Sequence, residues 1–335
     1  MAESLIDKLE VEARQNPKRI VFPESNNEMI LKAAQGVVNR KIGYPVIVGN
    51  QETVEAFAKE VGVSTEGFTY YDYMDETFRE ELAAEYRSKF EDMSEKAVKR
   101  KAKEAVNTAM FLLKLQKADC VAAGREYTTA DVIIAAQTIV GLQEGCCSVS
   151  SLGILNVPGF EGPEGSMLAI ADCAVNAAPD SNDLADIAIS SADTVHSLMK
   201  WEPRVGMLAF STCGSSEHES IDVIREAIEI VKTRRPDIKI DGEFQLDAAI
   251  NPNVALKKVK RESEVAGKAN VLIFPNLHAG NIGVKLIQTF GKADAYGPVL
   301  QGFALPVCDF SRSAPLSEMM GNIIMLIIRA QEGRK

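Results

Sequence analysis

Short apolar runs of strand length alternate with amphipathic stretches of helix length along almost the whole chain, and this alternation limits the fold more than any other feature. The runs lie at residues 19–23, 45–49, 119–124, 167–170, 205–210, 238–240, 271–274 and 299–303. Strands joined through helices cannot pair as hairpins, because each helix carries the chain back across the sheet and leaves neighbouring strands parallel. The fold class is therefore α/β, mainly parallel sheet flanked by helices. The clearest helix is predicted over 216–233, where Ser216 and Glu219 read as a capping box and Ile221, Ile224, Ile228 and Val231 fall on one face. At 335 residues the chain exceeds one ordinary core of roughly 150 residues, so two domains are expected. The Gly- and Pro-rich stretch at 156–165 reads as a loop near a domain junction, and the pattern alone places a cut close to residue 145.

A formal charge of -10 excludes nucleic acid and anionic membranes as main partners, since both reward a basic face. An anionic ligand then needs a local cationic pocket. No basic, apolar leader opens the sequence, and the apolar run at 323–328 is far short of the ~20 residues of a membrane helix. The six cysteines are scattered without C-x-x-C spacing, which is simplest for reduced thiols in a cytoplasm. The three histidines have no metal or triad spacing, so no metal is expected. P-loop, Rossmann and nucleophile-elbow patterns are absent. The charged stretch at 85–104 reads as a solvated helical surface.

Three loops that follow strands carry chemical interest. The first, STCGSS at 211–216, offers the hydroxyls of Ser211 and Thr212, a glycine and free amides to an anion. The second contains Gly280, Asn281 and Gly283 with Lys285 one turn on. Gly280 and Gly283 are expected to open a helix with no side chain in the way, so that amides and the positive helix end face a phosphate. The third places Ser311 beside Arg312, a hydroxyl and a fixed guanidinium able to clamp an oxyanion.

Taken in order, TAD at 129–131, LAFSTCGSS at 208–216, DGEFQLDAA at 241–249, the segment 269–286, GPVLQG at 297–302 with Gln301, and DFSR at 309–312 resemble the phosphate acetyltransferase and phosphate butyryltransferase family over nearly the whole chain. The resemblance implies a two-domain isocitrate/isopropylmalate-dehydrogenase-like fold with its active site in the interdomain cleft. The first domain would take residues 1–145 and 296–335, and the second, with dimer contacts, residues 146–295. It implies a cytoplasmic homodimer with no tightly bound cofactor, whose partners are coenzyme A, acetyl-CoA and phosphate or an acyl phosphate. Carried over by position, Ser311 and Arg312 stabilise the tetrahedral intermediate and Glu318 deprotonates the thiol, where acetyltransferases usually have aspartate. Asp309 is a second carboxylate close by. Arg87 matches a family arginine linked to phosphate or cofactor binding. Ser211, Thr212, Gly280, Asn281, Gly283, Lys285 and Gln301 complete the binding set.

The departures from the family pattern remove positive charge. A family arginine is Ile134 here, another is Thr289, and a family lysine is Leu305. Arg125 is the candidate to replace some of that charge, and the losses leave two alternatives to a phosphate acetyltransferase open: a family member with a different acyl group or acceptor, or a catalytically degenerate coenzyme A-binding regulatory protein.

Overall fold

The computed structural model describes residues 5–332, which form two compact units, 5–143 with 303–332 and 144–302. The first unit opens with α1 (Leu5–Ala13), β1 (Lys18–Phe22), α2 (Glu28–Arg40), β2 (Gly43–Val48), α3 (Gln51–Glu60) and β3 (Thr69–Tyr71). It continues through α4 (Glu76–Lys89), α5 (Glu95–Lys101), α6 (Ala105–Lys114), β4 (Cys120–Ala123) and α7 (Thr129–Ile139). The second unit holds β5 (Ser150–Asn156), β6 (Met167–Ala171), α8 (Ser181–Met199), β7 (Arg204–Leu208), α9 (Glu219–Arg234) and β8 (Lys239–Phe244). After α10 (Leu246–Ile250), α11 (Pro252–Lys258), β9 (Val271–Ile273), α12 (Leu277–Gly291) and β10 (Asp294–Gln301), the chain returns to the first unit as β11 (Val307–Asp309) and α13 (Leu316–Gln331).

The first sheet has the order β11-β4-β1-β2-β3 and is parallel throughout. Its central strands are apolar and buried over Ile20–Phe22 of β1 and all of β4, as strands covered on both faces must be. Met319 to Ile328 of α13 are all buried, so this helix is apolar all round because it runs through the core and packs on α1, α2 and the sheet. That placement explains the apolar run at 323–328 without a membrane. Among the described residues no helix is long and apolar enough to cross one.

The second sheet, β10-β5-β6-β9-β7-β8, is mixed: β10 with β5 and β5 with β6 are antiparallel, and the other pairs are parallel. Three expectations change here. β10 pairs with β5 from Asp294 to Gln301, so the crossing back to the first unit comes at 302/303 rather than 296. The stretch at 156–165 is no junction; it connects the antiparallel strands β5 and β6, closed by a Gly162–Gly165 bridge. The helix expected from Ser216 begins only at Glu219, capped by His218, whose side chain accepts the Ser220 amide.

The glycines of α12 also differ from expectation. The helix is capped by Asn276 and starts at Leu277, so Gly280 and Gly283 lie inside it and the Gly280 amide bonds to the Asn276 carbonyl. Their role is close packing. A β-carbon at Gly280 would sit 2.1 Å from the Asp172 carbonyl oxygen, and one at Gly283 would sit 3.0 Å from the Phe274 ring. A methyl cannot displace a backbone carbonyl cheaply, so Gly280→Ala should destabilise the protein by about 1–3 kcal/mol or more. Urea melts of the second unit's transition will read this, and an unchanged midpoint would show that α12 shifts freely.

Candidate functional site

In an open parallel sheet, ligands gather outside the carboxyl ends of strands where the strand order reverses. In the first unit that point lies between β1 and β4, because β1 leads through α2 to β2 on one side while β4 is reached from β3 by crossing back. Glu24 stands two residues past β1 and is only 2% exposed. Its Oε1 accepts the amides of Gly124 (3.1 Å), Glu126 (2.6 Å) and Tyr127 (3.0 Å). One buried carboxylate thus satisfies three amides of the β4–α7 connection, while its Oε2 is buried without a partner.

The next residues on that connection reach β11. Thr128 and Asp131 cap α7 reciprocally, and the Thr129 hydroxyl donates to Asp309 Oδ2 at 2.6 Å. Asp309 Oδ1 is buried without a partner. A β-carbon at Gly124 would stand 2.2 Å from that oxygen and 2.6 Å from the Phe310 nitrogen, and with φ at +111° the position accepts only glycine. Burial, reinforced by the nearby charge of Glu24, pushes the Asp309 carboxyl up to about 6 against the opposing effects of Thr129 and Arg312.

Ser311 and Arg312 follow directly, in the exposed segment between β11 and α13. The backbone there is stapled by Arg125, whose Nη1 donates to the carbonyls of Ser311 (3.1 Å) and Ala314 (3.3 Å). Arg125 is therefore engaged with this loop, although its Nε is buried and unpartnered. The Ser311 hydroxyl meets only that of Ser313, at 3.2 Å. Arg312 has no hydrogen bond or ion pair among the described residues, and its charge is felt at both Asp309 and Asp131. Glu318 lies in the first turn of α13, where burial raises its carboxyl above the usual range. Arg125 of the β4–α7 connection thus holds the segment that carries Ser311 and Arg312, and Glu318 follows in the first turn of α13. Arg87 is not drawn in: it is exposed near the end of α4 and donates to the carbonyls of Phe90 and Met93.

In the second unit, the 211–216 loop does bind an anion, and the anion is the chain's own. The Glu243 carboxylate is 2% exposed and accepts the Ser211 hydroxyl (2.9 Å), the Gly214 amide (2.8 Å) and the Arg225 guanidinium (3.0 Å). Burial alone would raise this carboxyl, but those donors outweigh it and bring it down to about 2. Thr212 accepts the Gln245 amide. Ser211 and Thr212 are both buried in this internal arrangement. Asn281 donates to the Cys173 carbonyl, and Gln301 is fully buried with its amide on Ser150 and Ser191. Lys285 is exposed on α12. Asp172 is a further internal acceptor, taking the Ser151 hydroxyl and the amides of Ala174, Val175 and Asn176.

Sequence reasoning assigns no role to Glu24 or to Thr129, and names Asp309 only as a second carboxylate near the candidate base. The readable signal is an acidic residue at or just past a strand end, Glu24 after β1 and Asp309 closing β11, with Thr129 opening the helix that follows β4.

The family model described as Phosphate acetyl/butaryl transferase matches residues 4–327. The chain is 39% identical to the phosphate acetyltransferase of Thermoanaerobacterium thermosaccharolyticum, covering 98% of this chain and 100% of that protein. It is 39% identical to that of Bacillus subtilis, covering 93% and 94%. Among solved structures, a phosphotransacetylase from Streptococcus pyogenes superposes with a TM-score of 0.88 at 31% identity, covering 99% and 100%. The EutD phosphotransacetylase from Staphylococcus aureus gives 0.85 at 30% identity, covering 97% and 98%.

The raised Asp309 carboxyl has a consequence for stability. Unfolded, it ionises near 3.8; folded, near 6, so the folded state binds the proton more tightly. Below the unfolded value there is no cost. Stability falls as pH rises from about 4 to about 6 and stays lower by ~3 kcal/mol above that. Asp309→Asn should therefore gain on the wild type across this window, with urea midpoints at pH 4.5 and 7.5 as the measurement. A difference between variant and wild type that does not change with pH would refute the raised carboxyl.

Proposed function

The chain belongs to the phosphate acetyl/butaryl transferase family, and on that premise we propose that it transfers acetyl groups at the loop carrying Ser311 and Arg312. The reaction is acetyl-CoA and phosphate exchanging with acetyl phosphate and coenzyme A, which makes this chain an acyltransferase. The observation that supports the site is the arrangement beyond β4 and β11: a backbone pinned by Arg125, which carries the Arg312 guanidinium with no hydrogen bond or ion pair among the described residues.

The thiol of coenzyme A must lose its proton before its sulfur attacks the carbonyl carbon of acetyl phosphate. Glu318 is the base in this reading. Burial, which raises its carboxyl, favours the protonated form it must reach when it takes up the thiol proton and from which it returns the proton in the reverse direction. As the tetrahedral intermediate forms, negative charge develops on the carbonyl oxygen, where Arg312 and the Ser311 hydroxyl supply donors already held in place. Collapse expels phosphate and leaves acetyl-CoA. No tightly bound cofactor is needed in this reading. A soluble cytoplasmic enzyme is the reading that fits the composition.

We further propose a homodimer through the second unit. Helix α12 exposes Ile282, Leu286 and Phe290, spaced four apart on one face, with Phe290 79% exposed. A surface helix of a monomer would place charge there. Phe290→Glu should convert the dimer to monomer in light scattering at micromolar concentration, and a native protein that is monomeric at that concentration would sink the proposal.

Arg312→Ala should lower turnover on the order of a hundredfold, as loss of an oxyanion donor does elsewhere. In the same assay of thiol release from acetyl-CoA with phosphate, Glu318→Gln should keep coenzyme A binding and lose turnover across the working pH range. Near-normal turnover of Arg312→Ala would remove this loop from the mechanism.

A further inference from the structure

Asp309 is an expensive way to make a structural tie. Its carboxyl is largely buried, one oxygen has no partner, and the charge of Glu24 lies close by. If the only task were to join β11 to the first turn of α7, an asparagine could accept the same Thr129 hydroxyl without burying a charge. A feature held against stability next to a reacting loop points to function.

The placement indicates what the charge does. Asp309 is the last residue of β11, with Ser311 and Arg312 two and three residues on. The anchors of this segment all come from the β4–α7 connection. The Ala123 carbonyl takes the Phe310 amide at 2.7 Å, Arg125 holds the carbonyls of Ser311 and Ala314, and Thr129 holds Asp309. The backbone is thereby fixed, yet the exposed Arg312 side chain is fixed by none of these bonds. Two carboxylates, Asp309 at its own strand end and Asp131 in the first turn of α7, lie within electrostatic reach of its guanidinium. Neither forms a hydrogen bond with it among the described residues. A long cation drawn by charge but not bonded keeps its N–H donors available for an incoming oxyanion.

We propose that Asp309 is a positioning residue for acetyl transfer, its buried carboxylate drawing the Arg312 guanidinium over the reacting loop without occupying its donors. The proposal rests on the reading that Arg312 meets the developing oxyanion. Its effect falls on turnover, because Arg312 is needed when charge develops on the carbonyl oxygen, and much less on the binding of either substrate.

The test compares Asp309→Asn with Thr129→Val, with acetyl-CoA and phosphate as substrates. Asp309→Asn keeps the bond to Thr129 and removes the charge, whereas Thr129→Val removes the bond and keeps the charge. Under the proposal, Asp309→Asn loses at least about tenfold in kcat with each KM within about twofold, while its thermal midpoint is unchanged or higher. Thr129→Val loses no more than about threefold. A slow, destabilised Thr129→Val beside a fully active Asp309→Asn would overturn the proposal, because the tie and not the charge would then matter. So would full kcat in both variants while Arg312→Ala is inactive, and that result leaves the acyl-transfer reading standing. An active Arg312→Ala would instead remove the premise itself.

Discussion

The first unit depends on one buried carboxylate. Glu24 arrives at the end of β1 and takes three amides from a turn that belongs to a different strand, about a hundred residues further along the chain. Without it those three amides would lose their acceptor, and for the buried Gly124 amide the cost would be ~1–3 kcal/mol. With them satisfied, the turn that begins at Gly124 has one shape. From that shape follow the direction of Arg125, the start of α7, and the bonds by which both hold the segment after β11.

The second unit uses the same device twice. Glu243 gathers the 211–216 loop, and Asp172 gathers the residues that follow β6. In each case a loop after a strand turns its donors inward onto a carboxylate that the protein itself supplies. Loops rich in serine and glycine are therefore ambiguous in a sequence, since the donors that cradle a phosphate can equally cradle a glutamate. Distinguishing the two requires knowing that Glu243, some thirty residues on, lies beneath the loop.

This marks the limit of what the sequence discloses. The β/α alternation located eight of the strands because buried parallel strands are nearly uninterrupted apolar runs. It overlooked β3, a three-residue Thr-Tyr-Tyr edge, β5, diluted by serine and glycine, and β11, only three residues long. The loop with Ser311 and Arg312 stood out only through the family resemblance, since a Ser-Arg pair carries almost no signal by itself. The tie of Asp309 to Thr129 was not legible, since it joins positions 180 apart that become neighbours only through the sheet. The glycines of α12 misled for a related reason: glycine near the start of a helix signals close approach, and here what approaches is the chain's own Asp172 carbonyl. Ile134, at 61% exposure on α7, shows that the missing family arginine left no hole in the core.

The first unit is also discontinuous in the chain, with the whole second unit made between α7 and β11. During synthesis the second unit can fold as soon as it emerges, while the first waits with β4 as an unpaired sheet edge and with the space later filled by α13 open to solvent. The residues that complete the edge are the same ones that bring Ser311 and Arg312. The proposed acyl-transfer loop and the completed core therefore arrive in one step, and a truncated product that stops short of β11 would expose the adhesive edge that quality control recognises.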